Sequence, residues 1–404
     1  MSALKYWIWL SSADISADAK AAVLLHYGDA EHAFLSPPGD FKTIERLSRR
    51  EIELLEKRDM SLVNSILEKC EMQGIEIITY QDALYPRRLR NIYSPPVALY
   101  VKGRLPAVDE NAVIAIVGTR NASPYGIKMS RNIACDIARC GGIVASGLTR
   151  GIDGAAAEGA LYGGGAVIGV LGTCHADDRG RLSEEVAGRG ALISEYPPLT
   201  PDRKTHFRER NRITAGLSVG VVAVEAPEGS NTRLFVEEAA GQGKEIFAVP
   251  GNADALNSVE TNAMIKDGAR PVTCGWEVLE EFKALYPGKL RNAASEAVRT
   301  DVLPRCAAPA RNYSPAEKQK PTKKEVDKAK NTGYIDLHGQ LSALNEDQLK
   351  IIAAVEKDAS HIDDIIESTG LGTARVLAQL TVLEIKGYIR REAGKRIVLN
   401  IAKK

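Results

Sequence analysis

The sequence predicts an α/β fold, in which a mostly parallel sheet carries helices on both faces. Between residues 111 and 285, short apolar runs alternate with helical segments, and this βαβ order is typical of parallel sheets. Two of the runs end on glycine-containing turns that precede a helix, at 118–120 and 146–153. Helical patterns occupy both ends of the chain. We therefore expect a central α/β domain flanked by a smaller domain on each side.

The composition restricts the class of protein but names no partner. A chain of 404 residues is long enough for about two to three domains. Its 53 basic and 52 acidic residues leave a net charge of +1, so any affinity for nucleic acid must come from local patches. Six scattered cysteines form no Cys-x-x-Cys pair, and the early apolar stretch 6–10 is too short for a signal or a membrane span. We expect a cytoplasmic chain with reduced thiols and no membrane partner.

Residues 1–80 have the pattern of a small helical module, with apolar residues at helical spacing. Within it, Leu25-His26-Tyr27-Gly28 has two interpretations: a helix-hairpin-helix turn that contacts a phosphate backbone, or an ordinary helix end closed by glycine. Prolines and the extended run 97–101 then predict a covering strand that leads into the main domain. We bound that domain at 81–285.

The main domain contains the predicted strands and the predicted site. The strands are expected at 113–117, 143–146, 167–171, 191–194, 219–224 and 246–249. In the first helix, Ile127, Ile133 and Ile137 fall near one face, and Gly141-Gly142 ends it. Ligands of such sheets bind beyond the carboxyl ends of the strands, where both glycine turns lie. Backbone N–H groups at a helix N-terminus bind anions, so we expect a phosphate site there.

The C-terminal third divides into a linker and a compact domain. In residues 286–340 the apolar periodicity stops and basic residues outnumber acidic ones, which predicts a flexible basic linker that is either simply solvated or binds nucleic acid loosely. Helices near 346–356, 362–368 and 373–386, followed by an extended pair around Gly394, predict a winged helix at 341–404. The third helix carries only Arg375 and Lys386 as cations, so we expect protein contact there at least as readily as reading of a DNA groove.

The segment 203–212 places five cations and one aromatic residue just before a predicted helix. Cations bind phosphates and a flat ring stacks on an unpaired base, so this mixture favours single-stranded nucleic acid. Lys204 and Phe207, placed in the loop, are expected contacts. Arg210 and Arg212 either join them or form internal ion pairs, with Glu195 or Glu225 as candidate partners. The remaining predicted contacts belong to the two glycine turns: Gly118, Thr119, Arg120, Ser146, Gly147, Arg150 and Gly151.

No pattern of residues predicts catalysis. The first glycine turn lacks the third glycine and the downstream acid of a dinucleotide fingerprint, and no Gly-Lys-Ser/Thr loop is present. The six histidines show no spacing typical of metal ligands. We therefore expect a protein that is not an enzyme and holds neither a cofactor nor a metal.

The order of several motifs resembles the DprA/Smf family, the DNA-processing proteins of bacterial natural transformation. The resemblance covers residue 6 to about 282, and the helical module (of the SAM or helix-hairpin-helix type) and winged helix match the layout of longer members. The motifs are Val117-Gly118-Thr119-Arg120, Ser146-Gly147-Leu148-x-Arg150-Gly151-Ile152-Asp153, Ser194-Glu195-Tyr196-Pro197, Arg210-Asn211-Arg212-Ile213-x-Ala215-Gly216-Leu217-Ser218 and Ala248-Val249-Pro250-Gly251.

The resemblance implies a Rossmann-like homodimer that binds single-stranded DNA without catalysis. It further implies that the protein loads RecA recombinase onto that DNA and displaces single-strand binding protein. By the family pattern, Arg120, Lys204 and Phe207 match positions that contact phosphate or stack a base, whereas the glycines of both turns and Ser146 line the pocket.

The chain also departs from the family pattern. Ala157 replaces a usual histidine, the loop from residue 172 is shortened, and Glu228 and Glu260 stand where serine and glycine are common. Added carboxylates near an anion site are expected to weaken it. One alternative is a nucleotide sensor or nucleotide-processing protein of the same superfamily, with acidic residues serving a ribose or base: Glu225, Glu237 and Glu238. Another is an interaction scaffold that uses the winged helix.

Overall fold

The computed structural model describes most of the chain and divides it into two compact units, Met1–Asn312 and Tyr313–Lys404. The described residues are 3–175, 180–292, 346–355, 360–371, 376, 379–380, 382–383, 388–392 and 396–399. Within them, no helix is long and apolar enough to cross a membrane.

The first unit begins with a helical module around its own apolar core. Its helices are α1 (Leu4–Ser12), α2 (Ala17–Tyr27), α3 (Ala30–Leu35), α4 (Arg49–Glu56) and α5 (Val63–Gln73). Trp7, Trp9 and Phe41 are buried in this core. Gly28 ends α2 with φ 82°, a backbone conformation that glycine adopts without strain. The turn at Leu25–Gly28 thus has the geometry of a glycine helix end.

A sheet of nine described strands forms the centre of the first unit, in the order β1-β2-β6-β5-β4-β3-β7-β8-β9. Its strands are β1 (Ile75–Thr79), β2 (Ala98–Gly103), β3 (Val113–Val117), β4 (Ile143–Ser146), β5 (Val167–Leu171), β6 (Ala191–Ser194), β7 (Gly220–Ala223), β8 (Glu245–Ala248) and β9 (Arg270–Pro271). The pairs β1–β2 and β2–β6 are antiparallel and the others are parallel. The predicted α/β fold with a mostly parallel sheet is confirmed.

The extended run 97–101, predicted to be a covering strand that leads into the main domain, is a strand but lies inside the sheet. Most of it forms β2, which pairs with β6 inside the sheet and with β1 on its other side. Ala98, Leu99 and Val101 are fully buried, so β2 is covered on both faces. The helical module and the α/β core therefore share a sheet, and the predicted boundary at residue 80 falls between two paired strands.

Helices cover both faces of the sheet, as the alternating pattern predicts. One face packs against α7 (Pro124–Arg139), α8 (Ile152–Tyr162), α9 (Arg181–Arg189) and α13 (Gly275–Leu279). The other packs against α6 (Arg87–Arg90), α10 (Lys204–Leu217), α11 (Asn231–Gly241) and α12 (Val259–Lys266). Because both faces are buried, the central strands are continuous apolar runs, and their predicted bounds agree with the observed ones to within one residue.

The order of the strands reverses at β3. The chain proceeds from β3 through β4 and β5 to β6 on one side, then returns to place β7 on the other side of β3. The carboxyl ends of β3, β4 and β7 consequently surround a crevice, and such a switch point is where open α/β sheets bind ligands.

The α/β core extends beyond the boundary predicted at residue 285. Tyr286 and Leu290 are buried against the face covered by α7, and the Arg291 amide donates to the Cys140 carbonyl at 3.1 Å. Residues 286–292 are thus part of the core. The rest of the predicted linker, 293–340, lies outside the described residues.

The second unit is a winged helix. It contains α14 (Glu346–Ala354), α15 (Ile362–Thr369) and a described sheet of β10 (Ser360–His361), β12 (Arg396–Leu399) and β11 (Ile389–Glu392), in that order. Ile351, Ile365 and Leu380 form part of its core. The first two predicted helices agree with α14 and α15 to within two residues. Most of the predicted third helix, including Arg375 and Lys386, and Gly394 lie outside the described residues.

Candidate nucleic-acid interface

A groove of about 680 Å³ lies at the switch point, beyond the carboxyl ends of β3, β4 and β7. The loops after β3 and β4, the first three turns of α10 and the start of α11 form its walls. Seven of the predicted contact residues line it: Gly118, Thr119, Arg120, Gly147, Lys204, Phe207 and Arg210.

The two glycine turns pack against each other through their backbones. The Thr119 amide donates to the Glu225 carbonyl at 2.8 Å, and the Ile152 amide donates to the Thr119 carbonyl at 3.3 Å. A Cβ at Gly151 would lie 2.6 Å from the Arg120 carbonyl oxygen, and its φ of 85° is strained for other residues. Glycine is therefore needed here for close approach of the two loops.

Three predicted contacts support the turns instead of lining the groove. Ser146 is fully buried, and its Oγ donates to the Asp153 carbonyl at 2.8 Å. Arg150 is exposed and its Nη2 donates to Asn121 Oδ1 at 2.8 Å. Gly151 packs on the first turn. Their contact with nucleic acid stays a prediction, and in this structure each of them also holds the loops of the site together.

Exposed cations without a partner border the groove. Arg120, Lys204 and Arg208 are exposed, and none of their side chains makes a hydrogen bond or an ion pair with a described residue. The Arg120 guanidinium lies 5.6 Å from the centroid of the Phe207 ring. The groove thus presents free positive charge beside an aromatic ring.

Lys204 and Phe207 lie on the first turn of α10, so their expected place in a loop is wrong. The residue before this helix, Arg203, makes no side-chain cap, and a start without a capping residue leaves little signal in the sequence. Phe207 is partly buried, and a Cβ at Gly172 would lie 3.0 Å from its Cδ1. The Phe207 ring consequently lies between Gly172 and the Arg120 guanidinium.

Arg210 forms part of the floor of the groove and is largely buried. It is 7% exposed, and its Nη1 donates to the Val170 carbonyl at 2.9 Å. A Cβ at Gly147 would lie 2.6 Å from its Cζ, so the absence of a side chain at Gly147 makes room for the guanidinium. Burial lowers the pKa of Arg210, and the nearby Asp153 carboxylate opposes that shift. Burial likewise raises the pKa of Asp153, whereas Arg210 lowers it.

Arg212 does not line the groove. Its Nη2 lies 2.6 Å from Glu195 Oε2, and both side chains are buried. The structure therefore gives Arg212 the internal ion pair that the sequence left open as an alternative, and we no longer expect it to contact a ligand. Arg210 and Arg212 are only two residues apart, yet their environments differ.

The sequence missed several residues of the groove. Some of them could have been found from Ser230, a serine that follows strand β7 and precedes the residues of α11. Serine is a common N-cap, and Ser230 has the extended backbone of one. This helix start repeats the strand, turn and helix order of the two recognised turns. The missed residues are Thr149, Asp153, Thr205, Arg208, Asn211, Thr214, Ser230, Asn231, Thr232, Leu234 and Phe235, and Val117 precedes the first turn.

The acidic residues that were expected to weaken an anion site, or to bind a ribose, either have partners within the protein or lie away from the groove. Glu225 is 2% exposed and accepts from the Ser123 amide at 2.9 Å and from Asn257 Nδ2 at 3.1 Å. Glu260 is buried and lies 2.9 Å from Arg233 Nη1. Neither of the two, nor exposed Glu228, lines the groove. Among the described residues, no group of three or more potential metal ligands is present.

Comparison with known proteins finds two family models that match the chain. A family model described as DNA recombination-mediator protein A matches residues 76–283, and one described as DprA winged helix domain matches residues 338–395. DNA processing protein DprA of Bacillus subtilis is 36% identical over 221 residues, which are 54% of this chain and 74% of the relative. Protein Smf of Synechocystis is 28% identical over 403 residues, 97% of each chain.

A solved structure supports the same assignment. The chain is similar to DNA processing protein A from Streptococcus pneumoniae, with a TM-score of 0.60 and 30% identity over 69% of this chain and 97% of that one. The similarity includes the α/β core, since it extends over more of the chain than the helical module and winged helix together could supply.

Proposed function

Because the chain belongs to the DNA recombination-mediator protein A family (DprA/Smf), we propose that its groove binds single-stranded DNA during recombination. The observation that carries this proposal is the pairing of Phe207 with free cations along one groove. In this proposal Arg120, Lys204 and Arg208 bind phosphates and the ring stacks on a base, which is supported by their common place along the groove.

The ring favours a single strand over a duplex. A base can stack on Phe207 only when it has left its own helix, and such stacking tolerates any of the four bases. Phosphate contacts fix the position of a strand without reading its sequence. We therefore expect affinity to depend on length and salt more than on sequence.

The nucleotide-sensor alternative has less support. Glu225, its strongest candidate for a ribose contact, is buried and bonded to Ser123 and Asn257. Glu237 and Glu238 do not line the groove. A competition experiment distinguishes the two functions, because mononucleotides at millimolar concentration should not displace a labelled thymidine 20-mer from a site built for a strand.

The direct test measures binding of a labelled thymidine 20-mer by fluorescence anisotropy over a range of salt. The three cations of the groove, each contributing about 0.7 for single strands, predict a log–log slope at least as steep as about −2. Lys204→Ala should reduce the steepness by about 0.7, and Phe207→Ala should weaken binding by roughly 1–3 kcal/mol. An affinity for the 20-mer that does not depend on the salt concentration would contradict the proposal.

Matched controls separate loss of contact from loss of structure. Lys128 is exposed on α7 and Tyr162 is 54% exposed at the end of α8, and neither lines the groove. Lys128→Ala and Tyr162→Ala should therefore bind the 20-mer with the affinity of the unmodified protein. If Phe207→Ala melts early but binds normally per folded molecule, the ring is a core residue and the stacking role is excluded.

We also propose the finer properties that family membership supports: a cytoplasmic, noncatalytic homodimer that loads RecA recombinase onto DNA covered by single-strand binding protein. The test is the DNA-dependent ATPase activity of RecA on such covered strands, which the protein should stimulate and Arg120→Glu should not. The oligonucleotide should be recovered intact, and sedimentation should give twice the chain mass. Stimulation by Arg120→Glu equal to that of the unmodified protein would separate loading from the groove.

A further inference from the structure

A second cavity continues from the groove along the surface between α10 and α11. This cleft, of about 610 Å³, shares three lining residues with the groove: Arg208 and Asn211 of α10 and Leu234 of α11. Its far end is lined by Gly241 and Gln242, at the end of the helix whose first turn lines the groove. The two cavities are thus contiguous and follow α11 from one end to the other.

The length of this path suits a short stretch of single strand. The eleven residues of α11 span about 16 Å at 1.5 Å per residue. At the stacked spacing of about 3.4 Å per nucleotide, that distance corresponds to about five nucleotides. A strand that begins in the groove therefore needs only a few more nucleotides to enter the cleft.

An exposed aromatic ring stands at the cleft. Tyr93 lines the cleft and is 63% exposed to solvent. Arg46 of the helical module lies 5.9 Å from the ring centroid. Such a ring, held in place but open to solvent, has the properties of a base-stacking platform.

Two cations, Arg88 and Lys244, lie at the far end of the cleft. The Arg88 guanidinium donates to the carbonyls of Asp109, Asn111 and Leu217 and to Tyr286 Oη, and its ion pair with the Asp109 carboxylate is long, at 3.9 Å. Lys244 is partly buried beside it, and burial together with the Arg88 charge lowers the pKa of Lys244 to about 8. A phosphate near these two cations would relieve their mutual repulsion.

The acidic residues of the cleft already have partners. Glu237 Oε1 lies 3.0 Å from Arg233 Nε, and Glu238 Oε1 accepts from Gln242 Nε2 at 2.9 Å. The ion pair with Arg233 reduces the repulsion between Glu237 and a phosphate. A strand can also turn its bases toward the two carboxylates, since carboxylates accept hydrogen bonds from the amino groups of bases.

We propose that the cleft is a second subsite for single-stranded DNA, in which Tyr93 stacks on a base of the strand that leaves the groove over Arg208. This inference rests on the proposed function, because the first nucleotides occupy the groove. It predicts that Tyr93 contributes only to the binding of strands long enough to reach it.

The test compares a thymidine trimer with a thymidine 12-mer at low salt, by anisotropy and competition. Tyr93→Ala should weaken binding of the 12-mer about five-fold or more and leave the trimer unchanged, whereas Tyr93→Phe, which keeps the ring, should restore the 12-mer. Tyr162→Ala is the matched control for an exposed tyrosine away from the path. An equal effect of Tyr93→Ala on both lengths, including no effect on either, would overturn the inference.

A second measurement reads the position of the strand directly. A 12-mer carrying 5-iododeoxyuridine at every position should photo-crosslink to the peptides that contain Phe207 and Tyr93, and a trimer only to the former. Failure of Phe207→Ala to weaken the trimer would contradict the proposed function itself. Crosslinking of the 12-mer at Phe207 but not at Tyr93 would contradict only the second subsite.

Discussion

Replacement of Arg212 by methionine should destabilise the protein without weakening its affinity for single-stranded DNA per folded molecule. The Arg212 guanidinium lies 2.6 Å from Glu195, with side-chain exposures of 9% and 5%. Removal of one partner from such a buried pair leaves an uncompensated charge, at a cost of about 3–5 kcal/mol. Burial lowers the pKa of nearby Lys20, and the Glu195 charge opposes that shift. Because Lys20 gives Glu195 a second cation nearby, we expect the lower end of this range.

This cost corresponds to a measurable shift in melting temperature. One kcal/mol moves the midpoint by roughly 2–4 °C in a domain of 150–250 residues, so Arg212→Met should melt at least about 5 °C earlier. Thermal unfolding followed by circular dichroism gives the shift, and anisotropy with a thymidine 20-mer, corrected for the folded fraction, gives the affinity. The double variant Glu195→Leu/Arg212→Met should recover most of the stability, because both charges are then removed.

Lys204→Met is the matched control, since Lys204 is exposed on the same helix and lines the groove. Its melting temperature should be unchanged, because exposed substitutions usually alter stability by less than about 0.5 kcal/mol, while its affinity for DNA should fall. The assignment of Arg212 to a structural role would be refuted if Arg212→Met kept its melting temperature and lost affinity to the same degree as Lys204→Met.

Three further outcomes are expected. Arg120→Lys should lose much of the DNA affinity because lysine cannot reproduce a bidentate contact, and Arg120→Glu should abolish it; near-native anisotropy of a folded Arg120→Glu would contradict this. Gly147→Ala should displace the Arg210 guanidinium and lower both affinity and melting temperature, whereas Gly188→Ala, with no atom within 4 Å of its Cβ, should not destabilise α9. Burial would raise the pKa of Glu51, but hydrogen bonds from two serines lower it from 4.5 to about 2. The free energy of unfolding should therefore fall as the pH falls from about 5 to about 2. Denaturant titrations should show that the stability of Glu51→Gln depends less on pH over that range.

The sequence alone was sufficient for the central strands and the position of the groove. Strands buried on both faces are continuous apolar runs, which local pattern reveals, and glycine turns between strand and helix mark the carboxyl edge of a parallel sheet. Arg120 and Gly147 could be placed at the groove for this reason. The family resemblance rested on the same local motifs.

Two elements were misplaced because their signal is not local. β2 is recognisable as a strand, but its place inside the sheet depends on its hydrogen-bonding partner β6, about ninety residues later. The start of α10 carries no capping residue, so the helix could not be traced back to Lys204. In both cases the conformation is decided by packing against the sheet, which outweighs the intrinsic preference of a short segment.

Only the tertiary structure decided which charges are free. Arg210 and Arg212 stand in one run of cations, yet one lies in the floor of the groove beside Asp153 and the other pairs with Glu195 across the interior. Lys204 and Arg208, in the same run, face solvent at the groove. A residue's type determines that it carries a charge, whereas its burial and its partner depend on elements distant in the chain. Burial and partner together decide whether the charge stabilises the fold or is free to bind a phosphate.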